Sequence, residues 1–440
     1  MTMHPMQRWL AAVDPVLRTG RVCRVMPTYI EADGPAVALG TLCDVETRGA
    51  GQSGRICAEV VRVDRDSVIL SALEDGRETF SGARVVARPG GGTVPVGPAF
   101  LGRAVDALGR PMDGKAPARA AERRLLHGPM VAPLERTSPD AILETGIRAI
   151  DGLLTLGRGQ RVGVFAAAGV GKTSLMGQIA RQTEADILIM CLVGERGREV
   201  EAIWNHGLDP AVRARATLVA ATSDQPAAMR VRAAHYAMAQ AEYWRGEGRH
   251  VLLLLDSVTR LAMAMREIGL AAGEPPTVRA YTPNVFAAIP KIVERSGALK
   301  SGGAITAIMT VLSESDDVDD PVSEMMKSLL DGHIVLSRAL AECGQFPAID
   351  VSRSVSRQAE GLVPRTQRRL ALQVLEWLSL RESSRTLVEA GLYAKGSNES
   401  IDRAIERHPE IVRFLKQERD EQAALAATET ALQLLAGGRS

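Results

Sequence analysis

Continuous apolar runs, with no polar alternation, recur through the middle of the chain: Arg161–Phe165, Ile187–Val193, Ala216–Ala221, Val251–Leu255, Ala304–Leu312 and His333–Leu336. Runs of this length fit strands covered on both faces. Stretches of helical period lie between several of them, notably Pro226–Arg245. Over about residues 143 to 355 this alternation predicts a parallel sheet with helices on both sides. The pattern changes toward each end. From Gly20 to about Val86, short Val- and Ile-rich segments (Arg21–Val25, Ala36–Leu39, Ile56–Val63 and Ser67–Leu70) stand between Gly and Asp punctuation. They predict a small antiparallel barrel. Pro89-Gly90-Gly91-Gly92 is a flexible break, and strand and turn pieces around Val94–Gly97, Leu101–Val105 and Leu108–Gly114 follow it. Beyond 363 the strands stop, and Thr366–Leu380, Arg385–Ala390 and Ser400–Leu435 are of helical period and rich in Ala, Leu, Glu and Arg. The expected fold is α/β: a small N-terminal β-barrel in residues 1–90, a central parallel-sheet domain in 91–362 and a C-terminal helical domain in 363–440. Met6–Val13 reads equally as a frayed terminus or as a short amphipathic docking helix.

The chemistry begins where the first of these strands ends. Ala166-Ala167-Ala168-Gly169-Val170-Gly171-Lys172-Thr173 follows the apolar segment 161–165 and runs into Ser174–Ala180, giving strand, glycine-bearing turn and helix in that order. This is the context of a phosphate-binding P-loop, in which backbone N–H groups turn inward and a helix N-terminus adds partial positive charge. Ala168, Gly169, Val170, Gly171, Lys172, Thr173 and Ser174 are the candidate nucleotide-binding residues. Lys172 would reach the β/γ-phosphates, and the Thr173 hydroxyl would ligate Mg²⁺. The usual pattern has glycine at the position of Ala166. A second strand, His250–Leu255, ends in Asp256, an acid at the carboxyl edge where open α/β sheets bind ligands. Asp256 is the candidate Walker B carboxylate, a metal ligand with Thr173. Strand Ile187–Val193 ends in Gly194-Glu195-Arg196-Gly197-Arg198. Glu195, expected on a strand adjacent to the P-loop, can face the γ-phosphate and orient the attacking water; the alternative is an ion pair with Arg196 or Arg198.

Composition narrows the partners. Lys plus Arg number 53 and Asp plus Glu 52 in 440 residues, a net charge of +1, and aromatics are 3%. Neither a basic surface nor a base-stacking platform is expected, so no nucleic-acid partner is predicted. Five cysteines without a C-x-x-C spacing read as reduced thiols, mostly core filler, and the seven histidines form no metal-ligand cluster. The first residues lack the pattern of a signal peptide, and no apolar run approaches the ~20 residues of a membrane span. A soluble, cytoplasmic protein is expected.

Several further segments narrow the function. Gly194–Val200, Ala221–Met229, Leu252–Arg260, Arg266–Pro276, Asp331–Arg338 and Phe346–Arg357 are all similar to the ATPase family of type III protein secretion and flagellar export, itself related to the catalytic subunit of rotary ATP synthases. The resemblance covers roughly residues 20–420. The alanine at 166 is also found in the export ATPases. The resemblance implies a RecA-like ATPase domain using ATP and Mg²⁺, a barrel that serves oligomerisation, and a homohexamer. It places Arg357 as an arginine finger entering the neighbouring subunit's site, so that Lys172, Glu195, Arg196 and Arg357 form the catalytic set. Phe346 matches the aromatic that stacks on adenine, where the family often has tyrosine. The acidic run Glu314–Asp320 matches acidic residues of the family and reads as a solvated loop. Implied partners are a stator or regulator protein at the N-terminus, a central stalk protein, chaperone–substrate complexes and the export gate. The implied location is the cytoplasmic side of the inner membrane, peripherally on the export apparatus. The implied task is hydrolysing ATP to release and unfold chaperone-bound substrates. Two ring proteins remain as other readings: an RNA translocase like the terminator Rho, and a non-catalytic ring subunit, in which glutamine typically replaces the acid at 195. Within the export family, Ser315 and Lys300–Gly303 lean to the non-flagellar branch, with a flagellar ATPase as the alternative. Ile401, Ile405, Ile411, Phe414 and Leu415 are expected in the C-terminal domain's own core. The opposite face, with Arg403, Glu406, Arg407 and Lys416, is left for a partner.

Overall fold

The computed structural model describes residues 16–49, 52–74, 78–312 and 320–437. The helix expected at Met6–Val13 and most of the acidic run, Glu314–Asp319, lie outside them. Six strands close the N-terminal barrel in the order Thr19–Val25, Ile30–Ala32, Val68–Ala72, Gln52–Val63, Leu42–Gly49, Arg84–Ala87. Val22, Ile30, Val45, Val60, Leu70 and Val85 fill its interior. Ala36–Leu39, expected as a strand, is irregular, and the strand missed from sequence is Leu42–Gly49. Its Cys43, Val45 and Thr47 are buried while Asp44, Glu46 and Arg48 point outward. That period of two is the mark of a half-buried strand, whereas Ala36–Leu39 is apolar without a partner strand to pair with.

The central sheet runs in the order Ile349–Ser356, Gly332–Leu336, Arg161–Ala166, Ala304–Leu312, His250–Asp256, Ile187–Val193, Ala216–Ala221, Arg103–Val105. Along this order neighbours are parallel except the edge strand Ile349–Ser356, antiparallel to Gly332–Leu336; off it, the short Gly297–Leu299 pairs antiparallel with Ala304–Leu312. The strand carrying Glu195 is therefore not adjacent to the P-loop strand; Ala304–Leu312 and His250–Asp256 lie between them. Periodicity locates strands but is silent on where a crossover inserts the next one.

All seven residues of Ile187–Val193 are buried. Ile187, Ile189, Cys191 and Val193 pack on one side in a core shared with helices Ala227–Gly246, Val258–Ala271 and Pro283–Glu294. Leu188, Met190 and Leu192 pack on the other with Leu175, Met176 and Ile179 of the P-loop helix, Lys172–Gln182. The strand alternation thus divides one apolar run between two cores.

The C-terminal helices are Arg365–Glu389, Glu399–Leu415 and Leu425–Ala436. The first is continuous where two pieces were expected, and the last two are separated by a connector, Lys416–Ala424. Ile411, Phe414 and Leu415 do not make a core of their own. They join the second sheet core with Ile150, Leu153 and the P-loop helix, while Ile401 and Ile405 are only half buried. A Cβ on Gly152 would lie 3.0 Å from the Phe414 ring. Cys43, Cys57 and Cys191 are buried, and Cys23 and Cys343 are exposed. No helix of the described residues is long and apolar enough to cross a membrane.

Candidate active site

Ala166 is the last residue of its strand, paired in parallel register with Leu312. Its backbone is extended, so a Cβ is tolerated where the motif usually has glycine. The turn itself needs two glycines: Gly169 has φ +82° and Gly171 φ +94°, a region costly for side-chain-bearing residues. The backbone N–H groups of Gly169, Val170 and Gly171 find no backbone partner among the described residues. Open amides at the start of the helix Lys172–Gln182 form a cradle suited to an anion. Ala168, Gly169 and Thr173 are exposed, Ser174 is half-buried and Val170 is buried beneath the loop.

Lys172 lies between two acids. Its ammonium is hydrogen-bonded to Asp256 Oδ1, and Glu195 Oε1 is 3.5 Å away. Thr310 Oγ donates to the same Asp256 Oδ1 at 2.6 Å. Thr173 and Asp256 line one cavity of about 430 Å³. A hydroxyl and a carboxylate oxygen are the hard donors that Mg²⁺ takes.

Glu195 is 5% exposed. Burial pushes its carboxyl above the ordinary range and the nearby Asp256 charge adds to this, while Lys172 and Arg260 pull it back. Arg260 had drawn no role from sequence beyond its place in a matching segment. Its Nε is 3.2 Å from Glu195 Oε1, and its Nη1 donates to the Gly194 carbonyl at 2.6 Å. It therefore holds both the acid and the turn that presents it. Its spacing four residues past Asp256, in the helix that follows the strand, was the available signal. Thr310 was missed for the opposite reason, being one polar residue inside an apolar strand.

Not every expected residue gathers at the loop. The half-exposed Phe346 ring does: a Cβ built on Gly171 would sit 3.8 Å from its Cε1. Arg196 N-caps the helix Gly197–Asn205 with its side chain exposed, outside the Lys172, Glu195 and Asp256 group. Arg357 follows the edge strand at the amino end of the sheet. There Ser356 pairs with Gly332 while Ile349 pairs with Leu336, and the Arg357 amide donates to Asp331 O at 2.9 Å. Its exposed side chain stands the length of a strand from its own P-loop.

A parallel sheet that delivers a two-glycine loop into a helix, with a lysine held between two buried acids, defines a P-loop nucleotide hydrolase of the RecA-like class. Residues 146–356 match the ATP synthase alpha/beta family nucleotide-binding domain, and 363–434 match the C-terminal domain of the type III secretion ATPase EscN. The flagellum-specific ATP synthase of Bacillus subtilis is 44% identical over 96% of each chain. The type 3 secretion system ATPase of Xanthomonas euvesicatoria is 42% identical, over 98% of this chain and 96% of its own. The assembled EscN of enteropathogenic E. coli superposes with a TM-score of 0.89 at 38% identity, covering 95% of this chain and 100% of that one. EscN has also been solved in complex with its central stalk EscO, and that structure matches with a TM-score of 0.86 at 36% identity, covering 95% of this chain and 100% of that one. The chain belongs to the family of flagellar and type III secretion export ATPases. It is an ATP-hydrolysing P-loop enzyme.

Proposed function

We propose that this enzyme energises type III protein export, releasing and unfolding chaperone-bound substrates with ATP hydrolysed at the P-loop. The observation that carries the reading is Lys172 held between Asp256 and Glu195, with Glu195 pinned by Arg260. The amides of 169–171 bind the phosphate chain, Lys172 neutralises its β/γ end, and Phe346 stacks on the base. Thr173 and Asp256 would hold Mg²⁺, which would supply charge neutralisation on the phosphates. Glu195 orients a water for in-line attack on the γ-phosphorus, and the bond to the β–γ bridging oxygen breaks to give ADP and phosphate. Arg196, next to Glu195 at the start of the helix Gly197–Asn205, completes the catalytic set with its exposed guanidinium.

Arg357, remote from its own loop, acts in trans as an arginine finger in a homohexamer. The barrel joins neighbours and the N-terminus takes a stator or regulator. A central stalk enters the pore, as EscO assembles with EscN. The exposed face of the helix Glu399–Leu415, with Arg403 and Glu406, receives chaperone–substrate complexes at the export gate. The ring acts on the cytoplasmic side, bound peripherally to the inner membrane. Flagellar and type III relatives match at nearly equal identity, 44% and 42%, and protein export is the process the two share.

Two variants test the chemistry. Lys172→Ala is expected to weaken ATP binding at least tenfold, and Glu195→Gln to bind ATP normally while losing hydrolysis, because only the water-orienting group is removed. Nucleotide titration and phosphate release are the measurements. Normal turnover by Glu195→Gln would remove that residue from the mechanism.

A further inference from the structure

The connector Lys416–Ala424 leaves the C-terminal helices and crosses the P-loop helix, bonded along its length. Gln417 is buried. Its amide N–H donates to Phe346 O at 2.8 Å, its side-chain nitrogen donates to Gly146 O at 2.6 Å, and its side-chain oxygen accepts from Arg148 N at 2.9 Å. Gln182 of the P-loop helix donates to Glu421 O at 2.9 Å, and Gln422 returns a bond to Gln182 O at 3.3 Å. Gly146, with φ +73°, is where the two segments meet, and a Cβ there would lie 2.9 Å from Gln182 Oε1 and 3.0 Å from Gln422 Cγ.

Two acids of this connector are matched by arginines of the domain beneath. Arg148 pairs with Glu421, and Arg181 lies 3.7 Å from Asp420. Arg419 differs. Its guanidinium contacts the hydroxyl of Ser174, a neutral group on the first turn of the P-loop helix, and no acid among the described residues pairs with it. Its backbone carbonyl accepts from Arg181 Nη2 at 3.2 Å. An exposed arginine without an acid ordinarily extends into water. This one is anchored on both sides, by Gln417 and by Arg181, and directed at the residue next to Thr173.

We propose that Arg419 is a nucleotide-positioning residue: a cation supplied by the C-terminal helices to the phosphates held at the P-loop, so that ATP binding tightens the connector over the site. The inference rests on the ATPase reading above. Through Gln417 the connector reaches the backbone of Phe346, the base side. Through Arg419 it reaches Ser174, the phosphate side. A nucleotide spanning Phe346 and the P-loop therefore meets one segment at both ends, and the C-terminal helices carrying that segment sense its presence.

The test uses the full-length chain with Arg419→Ala and Arg419→Lys, titrated with fluorescent ATP and with adenosine. Arg419→Ala is expected to weaken ATP roughly tenfold, the size of one charge-assisted contact. Adenosine should be unaffected, and Arg419→Lys should recover part of the loss. Hydrogen exchange supplies the second readout: ATP should protect the amides of Lys416–Ala424 in the parent and fail to do so in Arg419→Ala. Unchanged ATP affinity, an equal loss for adenosine, or undiminished protection would each overturn the role. Lys172→Ala is the control. If the parent binds no ATP, the ATPase reading fails; if it binds ATP, lost in Lys172→Ala but kept in Arg419→Ala, only this inference fails.

Discussion

Glu195 shows how much one neighbour decides. Buried with Asp256 close by, its carboxyl is raised above the ordinary range, and Arg260 is one of two cations holding it down. A water-orienting carboxylate works ionised, so hydrolysis is expected to fall as pH drops through that raised pKa. Removing Arg260 takes away positive charge that favours the anion, so the pKa rises further. Arg260→Ala should therefore move the acid limb of the pH–rate profile to higher pH and lower kcat near neutrality. Arg260→Lys should restore part of the shift through its charge but not the bond to Gly194 O. Phosphate release measured across pH reads both. An acid limb unmoved by Arg260→Ala would mean that Glu195 is not the group titrating.

Elements matter here through what they share. The helix Glu399–Leu415 has its apolar stripe on the sheet's second core, against Gly152, rather than on a separate helical core. Phe414→Ala is accordingly expected to cost about 3–5 kcal/mol, and to destabilise the ATPase domain together with the C-terminal helices. Thermal unfolding followed by circular dichroism, with intrinsic fluorescence to which Trp204 and Trp377 of the same core contribute, should show one shifted transition. Two separate transitions, with only the smaller one moved, would show that the helices unfold independently. The edge strand Ile349–Ser356 has a candidate site residue at each end: Phe346 just before it meets the P-loop, and Arg357 just after it stands at the far end of the sheet. The strand's length separates the two, and its antiparallel direction decides that Phe346 is the one at the P-loop edge.

At the scale of the whole molecule, that separation makes a prediction about assembly. If Arg357 completes a neighbour's site, specific activity should rise with protein concentration as rings form. Arg357→Ala and Glu195→Gln, each inactive alone, should recover activity when co-assembled, because some interfaces then pair an intact Glu195 with an intact Arg357. No recovery in mixtures shown to co-assemble would argue against a shared site. Chaperone capture is better tested on the surface than by truncation, since removing residues 363–440 would uncover Ile150, Leu153 and the P-loop helix. Arg403→Glu with Glu406→Lys on the full chain should reduce capture in pull-downs while ATP binding persists; undiminished capture would move the docking surface elsewhere.

From the sequence alone came the apolar runs that became the central strands, the P-loop with its lysine, and the acids at the ends of two strands. Each is written in a local pattern: a run without polar alternation is buried on both sides, and glycines at 169 and 171 permit the positive φ that the turn needs. Leu42–Gly49 was also legible, in its alternation, and was passed over for a more apolar neighbour. Only the tertiary structure decided which strands lie beside the P-loop, that two of them separate it from the strand carrying Glu195, and that Arg260 and Thr310 complete the group around Lys172. The same is true of the C-terminal helices sharing the sheet's core, and of Arg419 reaching Ser174 across 245 residues. The physical reason is common to all of these. Local patterning sets which face of an element must be buried, but strand order and docking are settled by long-range packing, in which any apolar surface of the right shape can cover another.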